Sequence, residues 1–132
     1  LLSVLHSSFS GNTSGQGGAM YVKTATVMLK NSILWGNQPS SIHYDQLPAV
    51  TYSIVQGGFP GIGNLDVGPR WFAPWNDDLH LNATSPAIDA GDPTALPDPD
   101  GSIADMGRFP YDPSWMGLSW IDDGVPGAGP IR

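Results

Sequence analysis

The sequence lacks cysteine and glutamate altogether, and its twelve acidic residues are all aspartate. Without cysteine there is neither a disulfide scaffold nor a thiolate metal site. Glutamate favours helices, whereas aspartate competes with the helix by bonding its own backbone and is common in turns and caps. Because 17 glycines and 13 prolines accompany it in 132 residues, this composition predicts one domain of short strands joined by turns.

Basic residues are also scarce, and the net charge is -7. Residues 1–44 hold Lys23 and Lys30 and no acid, whereas residues 45–132 hold all twelve aspartates and three arginines. Nucleic acids and anionic membranes require clustered basic residues, so the charge pattern argues against both as partners and favours cations. No apolar run approaches the roughly 20 residues of a membrane-spanning helix, so no membrane span is predicted.

A seven-residue pattern, the heptad, occurs three times, at positions 6–12, 31–37 and 52–58. Each copy has Ser second, a large apolar residue fourth and Gly sixth. Ahead of each copy, apolar residues alternate as in a half-buried strand, and their phase shifts at the first residue of the heptad. Each repeat therefore predicts about three short strands, two of which are separated by a bend.

About two dozen residues per repeat lie in the range of solenoid repeats, which bury their apolar residues by stacking. The second and fourth places are predicted to face inward, with the serines in a packing ladder rather than as nucleophiles, since no histidine is spaced to activate them. Asn12 and Asn37 are predicted to stack at one corner. Gly58 replaces them in the third copy, because a corner with an unusual backbone accepts either residue.

The succession N-S-x-[FL]-x-G-N, G-G-A-x-Y and Y-S-x-V-Q-G-G resembles the repeats of right-handed parallel β-helix proteins related to pectate lyases and polymorphic outer-membrane proteins. The likeness covers nearly all of residues 1–58. It implies an all-β fold, a right-handed parallel β-helix (solenoid) of two to three coils with a loop-rich C-terminal cap. Such a repeat is specific for fold and says little about function.

The stretch from Gly63 to Gly107 resembles the C-terminal segment of many bacterial β-helix surface proteins, often found beside a choice-of-anchor domain. It shares G-N-[IL]-x-x-x-P-x-[FW], D-x-x-L, S-P-A-I-D-A-G-D and D-x-D-G. The final D-[IM]-G-A-x-E is incomplete, because positions 108–110 read Arg-Phe-Pro in place of A-x-E; either that carboxylate is not needed or Asp112 supplies it. We therefore predict coils over 1–58, a Gly/Pro/Asp-rich terminal coil and cap over 59–110, and an irregular tail over 111–132.

The cap contains a candidate Ca²⁺ site. Oxygen ligands at alternate positions, with glycine forcing a tight turn, suit a hard cation, although the bidentate Glu of the EF-hand pattern is missing. The alternative, which we weigh more heavily, is that these aspartates cap turns through their own backbone. The candidate ligands are Asp98, Asp100, Ser102 and Asp105, with Asp89 and Asp92 on a neighbouring loop.

Tryptophan supplies a candidate surface for carbohydrate or a protein partner. Flat aromatic rings pack against sugar faces, and four of the five tryptophans follow the repeats. The alternative is that they fill the core and plug the end of the β-helix, because tryptophan is usually highly buried. The candidate contact residues are Trp35, Trp71, Trp75, Trp115 and Trp120.

Catalysis has weaker support, and we assign no catalytic residue and no organic cofactor. The pairs Asp77-Asp78 and Asp122-Asp123 are adjacent, and adjacent side chains of an extended chain point apart. The three histidines have no metal-ligand spacing, so we expect surface or hydrogen-bonded roles for them.

Together these features predict a non-catalytic C-terminal part of a secreted or cell-surface bacterial protein, extracellular or periplasmic, that serves adhesion, glycan contact or assembly with another chain. A first coil that begins at Leu1 leaves strand edges and core open, so the expected partner is another protein chain or missing N-terminal coils. The alternative is the terminal fragment of a polysaccharide lyase or glycoside hydrolase whose active site lies upstream.

Overall fold

The computed structural model describes residues 1–115. Trp120, the Asp122-Asp123 pair and most of the predicted tail lie outside the described residues. Over residues 1–115 the regular structure is ten short strands and one 3-10 turn at Pro74–Asn76, which confirms the prediction of an all-β fold. The strands are β1 (Leu2–Leu5), β2 (Ser8–Ser10), β3 (Met20–Val22), β4 (Val27–Lys30), β5 (Ile33–Trp35), β6 (Ile42–Tyr44), β7 (Ala49–Thr51), β8 (Ile54–Val55), β9 (Trp71–Ala73) and β10 (Asp78–Leu81).

The first eight strands form three small parallel sheets, in the orders β1-β4-β7, β2-β5-β8 and β3-β6. Equivalent heptad positions lie against each other, so that Phe9 pairs with Leu34 and Leu34 pairs with Val55. We call β1–β3 the first tier, β4–β6 the second tier and β7–β8 the third tier. The repeat read from the sequence is therefore the repeat of the strand pairing.

The bend at the start of each heptad is confirmed, and its cause is a left-handed residue. His6, Asn31 and Tyr52 occupy the first place of the three copies with φ of 46°, 54° and 49°. A second left-handed residue is the glycine at the sixth place, where φ is 69°, 76° and 92° in the three copies. The expectation that the seventh place carries the unusual backbone is wrong for Asn12 and Asn37, neither of which has a positive φ.

The inward places of the second and third heptads are buried as predicted. Leu34 and Val55 form a cluster with Leu29 and Val50 from the strands before the bend, and none of the four is more than 1% exposed. Ser32 and Ser53, at the second place, are fully buried. The side chains of these tiers therefore meet in one continuous core.

The outer face of the β2-β5-β8 sheet is also buried, which the sequence did not indicate. Ile33 and Ile54 are fully buried in a second cluster with Trp71, Leu81, Ala87 and Met106. The C-terminal segment thus packs along the side of the sheet as well as after its last strand. Two hydrogen bonds from main-chain N–H groups hold this packing. The Gly107 N–H donates to the Asn31 carbonyl at 2.8 Å, and the Arg108 N–H donates to Ser8 Oγ at 2.9 Å.

Residues 57–66 cover the far edge of the third tier. The Leu65 N–H donates to the Ser53 carbonyl and the Val55 N–H donates to the Leu65 carbonyl, both at 2.9 Å, so one more parallel bridge follows β8. The Tyr52 N–H donates to the Ile62 carbonyl. The stack is therefore closed on this side by a short, irregular turn of chain.

The last two strands, β9 and β10, pair as an antiparallel hairpin around the 3-10 turn. Their inner residues, Trp71 and Leu81, belong to the second cluster. Within residues 1–115 no helix has the length and apolar character needed to cross a membrane.

Candidate functional site

A groove of about 510 Å³ lies between the β9–β10 hairpin and the chain that follows residue 98. Its lining combines stacked aromatic rings, which we call the aromatic wall, with three carboxylates, which we call the acidic wall, and includes no lysine or arginine. The lining residues are His80, Asp98, Pro99, Asp100, Phe109, Pro110, Tyr111, Asp112, Pro113 and Trp115.

The aromatic wall is a stack of three rings centred on His80 in β10. The ring centroids of Phe109 and Trp115 each lie 4.1 Å from that of His80, with interplanar angles of 14° and 24°. Asp78 Oδ1 lies 2.8 Å from His80 Nδ1 and also accepts the His80 N–H at 3.1 Å, which fixes the imidazole. The two flanking rings are therefore held by a histidine that a strand positions.

The acidic wall comes from two tight turns, one at residues 98–102 and one at residues 112–115. The Gly101 N–H donates to the Asp98 carbonyl at 2.8 Å, and Gly101 has φ of 86°, which glycine adopts readily. Asp100 Oδ1 accepts the Ser102 N–H at 2.9 Å, and Asp112 Oδ1 accepts the Ser114 N–H at 2.8 Å. Each of these two carboxylates is thus held by its own turn through its Oδ1 atom.

Asp105 joins the acidic turn to the aromatic wall. Its side chain is almost fully buried, its Oδ1 accepts the Asp89 N–H at 2.7 Å, and its Oδ2 accepts the Tyr111 N–H at 2.6 Å. Its own N–H donates to Asp98 Oδ2 at 3.0 Å. Three segments of chain therefore depend on this one residue.

The groove carboxyls differ in their affinity for protons. Desolvation, and then the charge of Asp105, raise the pKa of Asp98 to about 6. Bonds from the Ser102 hydroxyl and N–H lower the pKa of Asp100, and bonds from Ser114 lower that of Asp112. At neutral pH Asp100 and Asp112 are therefore ionised, whereas Asp98 releases its proton only near pH 6.

Three of the four predicted Ca²⁺ ligands lie in the turn of residues 98–102, and Asp105 bonds to that turn through its N–H; each of the three aspartates already uses at least one carboxylate oxygen as an acceptor. Asp98, Asp100 and Asp105 each accept main-chain N–H groups, which is the turn-capping role that we weighed as the alternative. No group of three or more His or Asp side chains that could hold a metal ion occurs within residues 1–115. Calcium binding by Asp98, Asp100, Ser102 and Asp105 stays a prediction.

Asp92, on the neighbouring loop, does not lie with the predicted Ca²⁺ ligands. Asp92 lies 2.9 Å from Lys30 Nζ, and its other oxygen accepts the Thr94 N–H, so it faces the strand stack. These contacts lower the pKa of Asp92 to about 2, Lys30 contributing most. Asp92 therefore anchors the C-terminal segment to the second tier and does not join the acidic turn.

The structure separates the described tryptophans into three kinds. Trp71 is 7% exposed in the second cluster, and Trp35 is half-buried against it, so these two follow the core-filling alternative. Trp75 is 83% exposed at the 3-10 turn, away from the groove. Trp115 is 37% exposed and lies in the groove wall, so it alone of these four combines solvent access with an aromatic partner.

The remaining candidates are two histidines and the Asp77-Asp78 pair, and the structure gives contacts for both groups. His6 Nε2 lies 3.3 Å from Asn31 Nδ2, and the His43 ring meets the edge of Tyr21, in agreement with hydrogen-bonded or surface roles. Asp77 has a left-handed backbone at the end of the 3-10 turn, whereas Asp78 contacts His80. The two adjacent aspartates therefore differ in backbone conformation and in partner.

Sequence reasoning missed the aromatic wall. Nothing in spacing links His80 to Phe109 and Trp115, which follow it by 29 and 35 residues. One signal was present: Phe109 belongs to the Arg-Phe-Pro stretch where the sequence departs from the motif that it resembles. The motif alone indicates only a lost carboxylate at this place, whereas in the structure the stretch supplies an aromatic residue to the groove.

Comparison with protein-family models, with curated proteins and with solved structures gives no significant match to this chain.

Proposed function

We propose that the three tiers are coils of a right-handed parallel β-helix, and that this scaffold presents the groove as a non-catalytic contact site for carbohydrate on a secreted or cell-surface protein. Three parallel sheets with equivalent residues in register support the scaffold. The resemblance of the repeats supports the class of protein. A far-UV spectrum with substantial helix would contradict the scaffold.

The observation that carries the proposal is the pairing of an aromatic wall with a carboxylate wall in one groove. A pyranose ring has apolar C–H faces and hydroxyl edges, so it needs flat rings on one side and hydrogen-bond acceptors on another. Trp115 and Tyr111 offer the first, and Asp100 and Asp112 offer the second. A volume of about 510 Å³ lies within the usual range of small-ligand sites.

Charge narrows the class of carbohydrate. Three carboxylates line the groove without a lysine or arginine among the lining residues, so polysaccharides made of uronic acids are repelled. Neutral sugars avoid this penalty, and amino sugars gain from the charge. We therefore propose neutral or amino-sugar glycans as the ligands.

Binding can be measured by isothermal titration against a panel of neutral, amino and uronic oligosaccharides. Replacing the groove tryptophan, Trp115→Ala, is expected to weaken binding about tenfold, since an aromatic contact of about 1 kcal/mol or slightly more is lost. Trp75→Ala is the matched control, because Trp75 is more exposed but lies outside the groove. Equal loss in both variants, or preferential binding of uronic sugars, would contradict the proposal.

A second candidate function is hydrolysis of a glycosidic bond within the groove. One observation favours it: Asp98 and Asp112 line the same groove, the pKa of Asp98 is raised to about 6 and that of Asp112 is lowered, and glycosidases use one protonated and one ionised carboxyl group. Release of reducing sugar that Asp98→Asn abolishes would support it. Tight binding without release of product supports the contact function instead.

A further inference from the structure

The stacked rings of the aromatic wall end in a cation on one side and in a tryptophan on the other. Arg108 Cζ lies 4.8 Å from the centroid of the Phe109 ring, and because His80 covers one face of that ring, the guanidinium lies over the opposite face. Trp115 stacks on His80 at the other end and is 37% exposed. Within residues 1–115, neither a second ring nor a cation lies over it. Since tryptophan attracts cations more strongly than the other aromatic residues, this end of the stack suits a positive charge.

The turn that carries Trp115 also carries a carboxylate. The Trp115 N–H donates to the Asp112 carbonyl at 2.9 Å. Asp112 Oδ1 accepts the Ser114 N–H at 2.8 Å and the Ser114 hydroxyl at 2.6 Å. Asp112 is exposed, and within residues 1–115 its Oδ2 atom accepts no hydrogen bond. One rigid turn therefore brings an aromatic ring and an anionic oxygen to the groove.

His80 adds a hydrogen-bond acceptor. The Asp78 carboxylate can only accept, so its 2.8 Å contact with Nδ1 places the proton of the neutral imidazole on that nitrogen and leaves a lone pair on Nε2. Nε2 has no partner among the described residues. The one buried side-chain nitrogen or oxygen without a partner in that part of the chain is Trp71 Nε1, so His80 Nε2 is open to solvent.

The side chains that line the groove offer more acceptors than donors. Three carboxylates and the imidazole accept, whereas the donors are the Tyr111 hydroxyl and the Trp115 indole N–H. Neither of the two ion pairs within residues 1–115 includes one of the three carboxylates. A ligand that complements this lining therefore brings N–H or O–H donors and a positive charge.

We propose that the groove selects glycans whose amino sugars carry a free, protonated amine and discriminates against the N-acetylated forms of the same sugars. The ammonium group lies over the Trp115 ring and donates to the Asp112 carboxylate. An acetamide group has no charge, and its carbonyl adds one more acceptor to a lining that already has an excess of them. This inference rests on the proposed glycan contact and narrows its ligands to one chemical form.

The test compares three oligosaccharides of equal length, made of glucosamine, of N-acetylglucosamine and of glucose. Affinities are measured by isothermal titration at about pH 6.5, where the sugar amine is protonated. We expect the glucosamine ligand to bind about tenfold more tightly than the other two, because a cation–π contact and a charge-assisted hydrogen bond are gained. Raising the salt concentration to about 0.5 M should reduce this preference, because salt screens exposed charges.

Asp112→Asn removes the charge and keeps an oxygen for the Ser114 N–H, and it should reduce the preference for the free amine to about threefold. The matched control is Asp66→Asn. Asp66 is also exposed and its Oδ1 accepts the Gly57 N–H at 3.1 Å, but it does not line the groove. This variant should keep the full preference.

Equal or tighter binding of the N-acetylated ligand overturns the proposal and leaves the glycan contact standing. The same loss of preference in Asp66→Asn also overturns it, since the preference then reflects net charge and not the groove. Absence of binding to all three oligosaccharides overturns the contact function as well. Tighter binding of a lysine oligopeptide, weakened by Trp115→Ala, would identify a basic peptide as the ligand and overturn the proposal in favour of that partner.

Discussion

The strand stack and the groove region both use side-chain oxygens to satisfy main-chain N–H groups, but they distribute these bonds differently. In the stack each tier has its own acceptor, Ser32 for one and Ser53 for the next. In the groove region a single buried carboxylate, Asp105, accepts two N–H groups from separate segments and orients a third. The stack should therefore lose stability locally and moderately when a bond is removed, whereas the groove region should fail as a unit.

The largest effect is expected at Asp105. Asp105→Ala leaves the N–H groups of Asp89 and Tyr111 without acceptors, and we expect a loss of about 3 kcal/mol in the free energy of unfolding together with loss of glycan binding. Urea denaturation and calorimetric titration measure the two. The control is Asp45→Ala, whose carboxylate is exposed and bonds only the Tyr21 hydroxyl; it should change stability little. Glycan binding that survives Asp105→Ala would show that the groove does not depend on this residue.

A moderate effect is expected in the stack. Ser32→Ala removes a buried acceptor for the Ser7 N–H and a donor to the Lys30 carbonyl, for a loss of about 1–2 kcal/mol without effect on the groove. Ser14→Ala is the matched control, since the Ser14 hydroxyl bonds the Gln16 carbonyl at the exposed surface. If Ser32→Ala costs as much as Asp105→Ala, or weakens glycan binding, the contrast between the two regions is wrong.

A smaller effect is expected in the pH dependence of stability, which differs between the groove region and the strand stack. The pKa of Asp98 is raised to about 6 in the folded chain, so the folded state holds this proton between about pH 4 and 6 while the unfolded state has lost it. Its contribution to stability is present below pH 4 and is lost as the pH rises through 6. For Asp92 the pKa is lowered to about 2, so its contribution is present above pH 4 and is lost as the pH falls through 2.

Thermal unfolding measured from about pH 2 to 8 separates the two windows. Asp98→Asn should flatten the profile between pH 4 and 6 and leave the acid limb unchanged. Lys30→Ala, which removes the largest cause of the Asp92 shift, should alter only the acid limb. A profile that Asp98→Asn does not change would show that another group titrates in that range.

The smallest effect concerns calcium. If Asp98, Asp100, Ser102 and Asp105 bind Ca²⁺, millimolar Ca²⁺ should raise the Tm by a few degrees, EDTA should reverse the rise, and Asp100→Ala should abolish the response. The control is Mg²⁺ at the same concentration, which fits a flexible oxygen site poorly. No response to Ca²⁺ would leave turn capping as the whole role of these aspartates.

The sequence predicted the stack well because its contacts repeat. Ser7 and Ser32 hold equivalent places in successive heptads, so parallel stacking brings them together, and the same holds for Asn12 and Asn37. The degree of burial of Phe9, which is only partly buried, could not be predicted from the repeat, because the repeat specifies the neighbour of Phe9 on one side only.

The groove could not be predicted, because it is built from contacts that do not repeat. The bond from Arg108 to Ser8 spans 100 residues, and Ile33 is buried on its outer side only because Met106 and Ala87 pack there. A heptad gives no information about which later segment covers it. The aspartate motif indicated the turn, but the aromatic wall at His80 needed the tertiary structure.

In the strand stack, the N–H of each heptad serine donates to the hydroxyl of a serine that comes later in the sequence. This direction has a consequence for synthesis of the chain. The Ser7 N–H emerges from the ribosome 25 residues before the hydroxyl that accepts it, and the last acceptor, Asn64, follows Ser53 by another 11. Each tier is therefore made before the residue that completes its hydrogen bonds. Water must accept hydrogen bonds from these N–H groups until Asn64 has been synthesised. The hydrogen bonds of the serines can therefore be completed only after the C-terminal end of the stack has been made.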